Sequence, residues 1–173
     1  FDVFESWFHE NKEWIEENRH LLKPPVGNKC IVNDDLIIMV VGGPNTRKDY
    51  HYEDGAEFFY QVEGDITVRV IEDGKPRDIV IKEGEIFYLP PNIPHSPQRP
   101  ADTVGLVIER KREPKEYDSF QWYCENCGEK LHEETIKLTD IGSQLPPIFE
   151  KYWGDESKRT CKNCGTVMQP PAK

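Results

Sequence analysis

The chain has 173 residues, a formal net charge of -10 and 31% charged residues. A chain of this length can bury a sizeable core in one ordinary domain, so it needs no disulfides to fold. The acidic balance argues against a nucleic-acid partner, because phosphate contacts need clustered lysines and arginines. No apolar run approaches the ~20 residues of a membrane span, and the first residues lack the pattern of a signal peptide. We therefore expect no membrane partner.

In chain order, the pattern begins with a helix and continues with short strands. Residues 2–22 place apolar side chains near a 3.6-residue period, which predicts a helix that ends before Pro24. From about 30 to 112 the chain has short β runs separated by glycine and proline turns. The runs are 36–41, 66–71, 79–81, 86–89 and 104–108. This spacing predicts a mainly β protein, either a sandwich or a jelly-roll barrel.

The last third of the sequence changes character. A highly charged connector covers 109–118, and a cysteine-bearing tail follows it. We therefore predict two regions: residues 1–112 as an N-terminal helix plus a catalytic barrel, and residues 113–173 as the connector and a small metal-binding extension. Four of the five cysteines fall in this tail, which favours a metal site in a reducing, cytoplasmic setting over a disulfide framework. The remaining Cys30 is expected to be a small buried hydrophobe.

Two segments, 43–57 and 84–99, together predict one metal site. They offer the imidazoles of His51 and His95 and the carboxylate of Glu57. Two histidines and one carboxylate form the facial triad that leaves coordination positions open, and its usual occupant is non-haem Fe(II). The alternative is that both histidines are ordinary polar residues of a β-barrel. Asp49 remains an alternative ligand.

Arg47 and Arg99 lie four residues from His51 and His95, respectively. An inward-facing arginine in a barrel is costly unless it meets an anion, and a guanidinium can hold a carboxylate by two hydrogen bonds. The alternative for each is a surface arginine. Glu109, at the end of a β run, is a candidate acceptor for an amine or hydroxyl, or simply a charge of the connector.

The tail predicts a second metal site. Cys124 and Cys127 form one Cys-x-x-Cys-Gly turn, and Cys161 and Cys164 form another. Four thiolates give the tetrahedral set of Zn or of a single Fe. Such a set has no open position, so a structural role is favoured over electron transfer. Reduced dithiols or two disulfides are the alternatives.

The two barrel segments resemble the two motifs of cupins. Glu57 is followed by six residues and then Gly64, and Gly84 is followed by five residues and then the Pro90 to His95 segment. Three positions depart from the cupin pattern: Asp49 stands where a first histidine is usual, Asn92 where a glycine is usual, and Arg99 where an asparagine is usual. The resemblance implies a cupin jelly-roll barrel in which the ligands converge.

A closer resemblance is to the 3-hydroxyanthranilate 3,4-dioxygenase family. It is carried by residues 21–28, 40–45, 47–51, 57–61, 89–91, 95–100, 122–124 and 158–161. It implies that His51, Glu57 and His95 bind the catalytic Fe(II) and that Glu57 also borders the substrate. It further implies that Arg99 and Glu109 hold the substrate's carboxylate and neighbouring polar groups, with Arg47 near the oxygen side. The tail resembles the rubredoxin-like extension of bacterial and fungal members.

The same resemblance implies the reaction. Both atoms of O₂ would enter 3-hydroxyanthranilate, giving 2-amino-3-carboxymuconate semialdehyde, which cyclises to quinolinate, a precursor of NAD in the kynurenine pathway of tryptophan catabolism. The resemblance and the aromatic N-terminal helix also suggest a homodimer. Two rivals are another cupin chemistry, such as a sugar isomerase, and a non-enzymatic zinc-ribbon module.

Overall fold

Two antiparallel sheets face each other in the computed structural model, which describes residues 13–22 and 27–171. The five-stranded sheet contains β1 (Asn28–Asn33), β2 (Leu36–Gly42), β4 (Glu57–Glu63), β7 (Ile86–Leu89) and β9 (Val104–Arg110), in the spatial order β1-β2-β9-β4-β7. The six-stranded sheet contains β3 (Tyr50–Tyr52), β5 (Ile66–Glu72), β6 (Lys75–Ile81), β8 (His95–Gln98), β10 (Asp118–Tyr123) and β11 (Lys130–Ile136), in the order β11-β10-β3-β8-β5-β6. The predicted mainly β class is therefore confirmed.

The main core lies between the two sheets. Met39 and Phe59 of the five-stranded sheet pack in one buried cluster with Val68 and Val70 of the six-stranded sheet. Alternate residues of a strand point to opposite faces, so β5 buries Ile66, Val68 and Val70 on the side that faces this core. Burying each such side chain contributes roughly 1.5–3 kcal/mol. The core thus fixes the two sheets against each other.

The N-terminal helix covers the outer face of the five-stranded sheet. Residues 13–18 are helical (α1), and a 3-10 turn follows over Arg19–Leu22. Ile15 and Leu22 pack against Val40 and Val104 on that face. The part of the predicted helix before residue 13 lies outside the described residues.

The tail is built onto the six-stranded sheet. β10 pairs with β3 on one side and with β11 on the other, and helices α2 (Ile141–Trp153) and α3 (Glu156–Arg159) follow. Trp122 of β10 packs with Leu145 and Tyr152 of α2 in a second buried cluster. The division of the chain at 112/113 stays a prediction. In the described ranges, no helix combines the length and apolar character needed to cross a membrane.

The expectation for Cys30 is wrong, because its thiol is exposed. Cys30 lies on β1, the edge strand of the five-stranded sheet, at an irregularity in its pairing with β2. Its Sγ lies 3.1 Å from the carbonyl oxygen of Val32, to which it donates. A small apolar residue on an edge strand can lack a covering layer, which the sequence alone does not reveal.

Candidate active site

The three predicted barrel ligands meet in the interior. His51 on β3 lies directly opposite His95 on β8, and Glu57 begins β4 in the facing sheet. The Glu57 Oε1 atom lies 2.8 Å from His95 Nε2 and 3.4 Å from His51 Nδ1. All three side chains are buried, and their possible ligand atoms lie within 4.8 Å of one another. This geometry suits one metal ion bound by two imidazoles and a carboxylate.

Each histidine has its second ring nitrogen occupied. His51 Nε2 lies 2.6 Å from Asp118 Oδ2, and His95 Nδ1 lies 3.0 Å from the carbonyl oxygen of Ile93. These acceptors fix a proton on the outer nitrogen of each ring, so the inner nitrogen is the one that can give up its proton to Glu57 or bind a metal ion. Phe120 stacks on the His51 ring with centroids 5.2 Å apart, which further fixes the ring plane.

The electrostatics of the site reflect dense packing of opposite charges. Burial raises the pKa of Glu57, but the charge of His95 and hydrogen bonds to both histidines outweigh it and hold that pKa well below its usual range. Burial lowers the pKa of His51, but hydrogen bonds to Asp118 and Glu57 raise it to about 10. This set of groups therefore favours a cation at its centre, either a proton or a metal ion.

Asp49 is not part of this set. It is buried, and its carboxylate pairs with Arg47 through two hydrogen bonds, with 3.3 Å from Arg47 Nε to Asp49 Oδ1. Burial lowers the pKa of Arg47, but the Asp49 charge raises it. The alternative that Asp49 is a metal ligand gains no support from this placement.

Arg99 is buried, with only 3% of its surface exposed. Its Nη1 donates a long hydrogen bond of 3.4 Å to Gln61 Oε1. Across the ranges 13–22 and 27–171, no carboxylate forms an ion pair with it, and burial lowers its pKa to about 10. A side chain at Gly105 would place its Cβ 3.1 Å from Arg99 Nη1 and 2.6 Å from Gln61 Oε1, so the glycine leaves room for both groups. A buried cation without an anion is a candidate binding group for an anionic ligand.

Glu109 is also buried, and it lies directly opposite Glu57 in the pairing of β4 with β9. Sequence reasoning missed its partner, Arg112, whose Nη1 donates to Glu109 Oε1 at 2.6 Å. It also missed Glu53, a buried neighbour of Glu109. Burial, together with the negative charges of Glu109 and Glu57, raises the pKa of Glu53 to about 9. All these residues were hidden because they lie in segments that read as loop or connector.

A cleft of about 740 Å³ opens beside Glu109 and Arg112. Its walls come from β1, β2, the connector after β9 and the segment before α2. Of the predicted site residues, only Glu109 lines this cleft.

The four cysteines of the tail also come together, and we call them the four-cysteine site. Cys124 Sγ lies 3.6 Å from Cys164 Sγ, and Cys127 Sγ lies 3.5 Å from Cys161 Sγ. Each Cys-x-x-Cys turn ends in a glycine with positive φ, 78° at Gly128 and 74° at Gly165. A glycine adopts this conformation without strain.

The thiols of this site suit a metal that binds sulfur. The Thr166 hydroxyl lies 3.3 Å from Cys164 Sγ and, as the largest influence, lowers the pKa of that thiol to about 5. For Cys161, a backbone hydrogen bond at Cys164 lowers the pKa, but burial and the thiols of Cys127 and Cys164 outweigh it and raise that pKa to about 11, so the thiolate character of the site rests on Cys164. A thiolate is the form that binds metal. The four sulfurs fit the tetrahedral set of Zn or Fe, and no position is left for a substrate.

The two sheets and the triad define a class: a β protein whose two histidines and one carboxylate could hold a metal ion with open positions. Comparison with known proteins narrows the class. Residues 5–153 match the family of 3-hydroxyanthranilic acid dioxygenase, and the chain belongs to that family. The "3-hydroxyanthranilate 3,4-dioxygenase" of Xanthomonas euvesicatoria pv. vesicatoria (strain 85-10) is 54% identical over 92% of this chain and 91% of its own. The protein of the same name from Neurospora crassa is 51% identical over 90% and 86%.

Among solved structures, a cupin-2 domain containing protein from Shewanella frigidimarina covers 56% of this chain and 92% of its own. It has 18% sequence identity and a TM-score of 0.47.

Proposed function

We propose that this protein is a ring-cleaving dioxygenase that converts 3-hydroxyanthranilate and O₂ to 2-amino-3-carboxymuconate semialdehyde. One observation carries the proposal beyond family membership. Arg99 is a buried cation without a carboxylate partner in the described chain, and it shares an interior with an open two-histidine, one-carboxylate set. An aromatic acid with adjacent hydroxyl and amine groups would satisfy both features.

The residues have separate roles in this proposal. Arg99 binds the substrate carboxylate through its planar guanidinium and thereby orients the ring, which is catalysis by positioning. Glu109 accepts a hydrogen bond from the amine or hydroxyl group. Arg47 supplies positive charge on the oxygen side, where it would stabilise developing negative charge. Gln61 and Gly105 hold and make room for Arg99.

We propose Fe(II) as the metal held by His51, Glu57 and His95. Bound there, it supplies a Lewis acid that lowers the pKa of a ligated hydroxyl and a redox centre for oxygen chemistry. Arg99, in contrast, needs no metal to bind a carboxylate, so anaerobic binding of the substrate can be measured separately.

For the rest of the molecule, we propose that residues 113–173 form a metal-binding region whose Zn or Fe is structural. We also propose that the protein works in the cytoplasm as a homodimer and that its product cyclises to quinolinate on the route to NAD. The half-exposed side chains of Tyr60, Ile86 and Tyr88 on β4 and β7 offer apolar surface for the contact between two copies.

The test is an assay with Fe(II) loaded anaerobically into the protein. After addition of 3-hydroxyanthranilate and air, we expect the near-ultraviolet absorbance of the semialdehyde to appear, with one O₂ consumed per substrate. A sugar phosphate offered to the same protein serves as the control for the rival isomerase function. Fully loaded iron with no ring-opened product would overturn the proposal.

A further inference from the structure

The guanidinium of Arg112 lies among three buried carboxylates. It donates to Glu109 at 2.6 Å and to Asp118 at 2.6 and 2.7 Å, and its Nη2 lies 3.2 Å from Glu53 Oε2. Burial lowers the pKa of Arg112, but the hydrogen bond to Asp118 and the charge of Glu109 outweigh it and raise that pKa. Arg112 therefore offsets part of the negative charge on this side of the barrel. We call Arg112, Glu53, Glu109 and Asp118 the Arg112 network.

Asp118 connects this network to the metal site. Its Oδ2 accepts from His51 Nε2 at 2.6 Å and from Arg112 Nη2 at 2.7 Å, while its Oδ1 accepts from Arg112 Nε. Asp118 is almost fully buried at the first position of β10. A histidine ligand is oriented by the group that accepts its outer N–H, and such partners strongly affect metal affinity. Arg112 thus holds the Asp118 carboxylate in place, and Asp118 in turn orients the His51 ring.

Glu109 is held by the same guanidinium. Its Oε1 accepts from Arg112 Nη1 at 2.6 Å, and its Oε2 lies 3.4 Å from Arg112 Nη2. The forked shape of a guanidinium sets the orientation of a carboxylate, which a lysine ammonium cannot do. One side chain therefore orients both the carboxylate behind His51 and the carboxylate proposed to meet the substrate.

We propose that Asp118 and Arg112 are positioning residues for the dioxygenase reaction. Asp118 holds the His51 ring with Nδ1 toward the metal, and Arg112 holds Asp118 and Glu109 in one arrangement. Neither residue contacts the reacting atoms in this proposal. The inference rests on the proposed function for the substrate side, whereas its metal side stands on the geometry around His51 alone.

The first experiment separates metal binding from turnover. With Zn²⁺ bound first at the four-cysteine site, Fe(II) is titrated anaerobically into wild type and Asp118→Asn, and binding is followed by electron paramagnetic resonance of the nitric oxide complex. We expect Asp118→Asn to bind Fe(II) about ten- to a hundredfold more weakly. Asp78→Asn is the matched control, because Asp78 forms an exposed pair with Arg69 on β5 and β6. It should bind Fe(II) like wild type.

The second experiment uses Arg112→Lys, which keeps the charge but removes the fork. We expect the KM for 3-hydroxyanthranilate at saturating Fe(II) to rise about tenfold, because Glu109 and Asp118 can no longer be held together. Arg69→Lys is the control and should leave KM unchanged. The loss of Fe(II) affinity in Arg112→Lys should be smaller than in Asp118→Asn, since the hydrogen bond from His51 to Asp118 is retained.

The outcomes are distinct. Wild-type Fe(II) affinity in Asp118→Asn together with a wild-type KM in Arg112→Lys would overturn the inference. If circular dichroism shows that Asp118→Asn does not fold, the KM of Arg112→Lys decides alone. If wild type binds Fe(II) but never opens the ring of 3-hydroxyanthranilate, the proposed function fails, while weaker Fe(II) binding in Asp118→Asn would still support the role of Asp118.

Discussion

The barrel site and the four-cysteine site differ in what surrounds their ligands. In the barrel, His51, Glu57 and His95 are all buried, and the outer nitrogen of each histidine meets its own acceptor. Charged groups lie on every side, and one of them, Arg99, has no carboxylate partner among the described residues. In the proposed function, a metal ion and an anionic substrate complete this site.

The four-cysteine site offers a metal ion four sulfur ligands from the chain itself, which is a full tetrahedral set. Its four sulfurs come from two tight turns, of which Cys127 and Cys164 are exposed and Cys124 and Cys161 are buried. The backbone N–H of Gly128 donates to the carbonyl of Cys124, and Gly165 donates to Cys161 in the same way. A site made of turns at the surface can join two chain segments but cannot enclose a substrate.

The two sites are joined by one strand. β10 carries Phe120, which stacks on His51, and it ends next to Cys124. In the proposed function, the two sites have different roles within a connected structure: the barrel site performs chemistry, and the four-cysteine site holds the strand that supports it. This contrast can be tested by removing one site at a time.

The largest effect is expected from His51→Ala. Loss of this ligand should lower turnover by about a thousandfold or more, because metal stabilisation of developing charge is worth several kcal/mol. The four-cysteine site should keep its metal, so metal analysis should find one ion per chain in the variant and, if both sites are filled, two in wild type. His132→Ala, in the tail strand β11, is the control and should retain both ions. Loss of both ions from His51→Ala would show that the sites are not separable.

The second-largest effect is expected from Arg99→Lys, which tests whether Arg99 binds the substrate carboxylate. A lysine keeps a positive charge but makes no bidentate contact, so kcat/KM should fall by about ten- to a hundredfold, mainly through KM. Steady-state kinetics at saturating Fe(II) would measure this split. Arg77→Lys, in an exposed pair with Glu72, should have wild-type constants. A change in kcat alone would argue against carboxylate binding by Arg99.

Sequence and structure agree where the residues of a motif lie close together along the chain. The spacing within residues 43–57 and 84–95 predicted which residues converge, because His51 and Glu57 are only six positions apart and His95 belongs to a second short motif. Short apolar runs between glycine and proline turns predicted five of the strands, namely β2, β5, β6, β7 and β9. Family membership then followed from matched residues over most of the chain.

The parts that the sequence did not reveal depend on distant pairing. Asp118 reaches His51 across 67 positions only because β10 pairs with β3. Arg112 reads as one of several charges in a connector, yet it is the partner of Glu109 and Asp118. Cys30 was expected to be buried, and its exposure depends on the edge position of β1, which no local pattern encodes.

A smaller effect on catalysis is expected when the four-cysteine site is removed. Cys164→Ser should release the tail metal and lower Tm by about 5 °C or more, since about 2 kcal/mol corresponds to several degrees in a chain of this size. Turnover at 25 °C should stay within about threefold of wild type, because a closed set takes no part in chemistry. Cys30→Ser is the matched control and should leave Tm and metal content unchanged. Full loss of turnover in a folded Cys164→Ser protein would favour electron transfer through the tail.

The smallest effect is expected in the connector between the two regions, where Arg110 donates to Glu116 at 2.5 and 2.7 Å. This hydrogen bonding, with the backbone N–H of Glu113, lowers the pKa of Glu116 from 4.5 to about 2. A carboxyl whose pKa is lower in the folded state stabilises the fold above its unfolded pKa, and this stability is lost as pH falls from about 4.5 to about 2. Because Arg110 is partly exposed, Glu116→Gln should lower the free energy of unfolding at pH 7 by only about 0.5–1 kcal/mol.

Urea unfolding at pH 7 and pH 3 would measure this difference. The deficit of Glu116→Gln should be full at pH 7 and smaller at pH 3, where the unfolded wild type has already taken up its proton. Glu113→Gln is the control, because the Glu113 side chain pairs with the exposed Lys115 at the surface and should contribute almost nothing. An equal deficit at both pH values would show that the carboxylate acts through shape and not through charge. The connector would then be held by packing and not by ion pairs like those that organise the barrel.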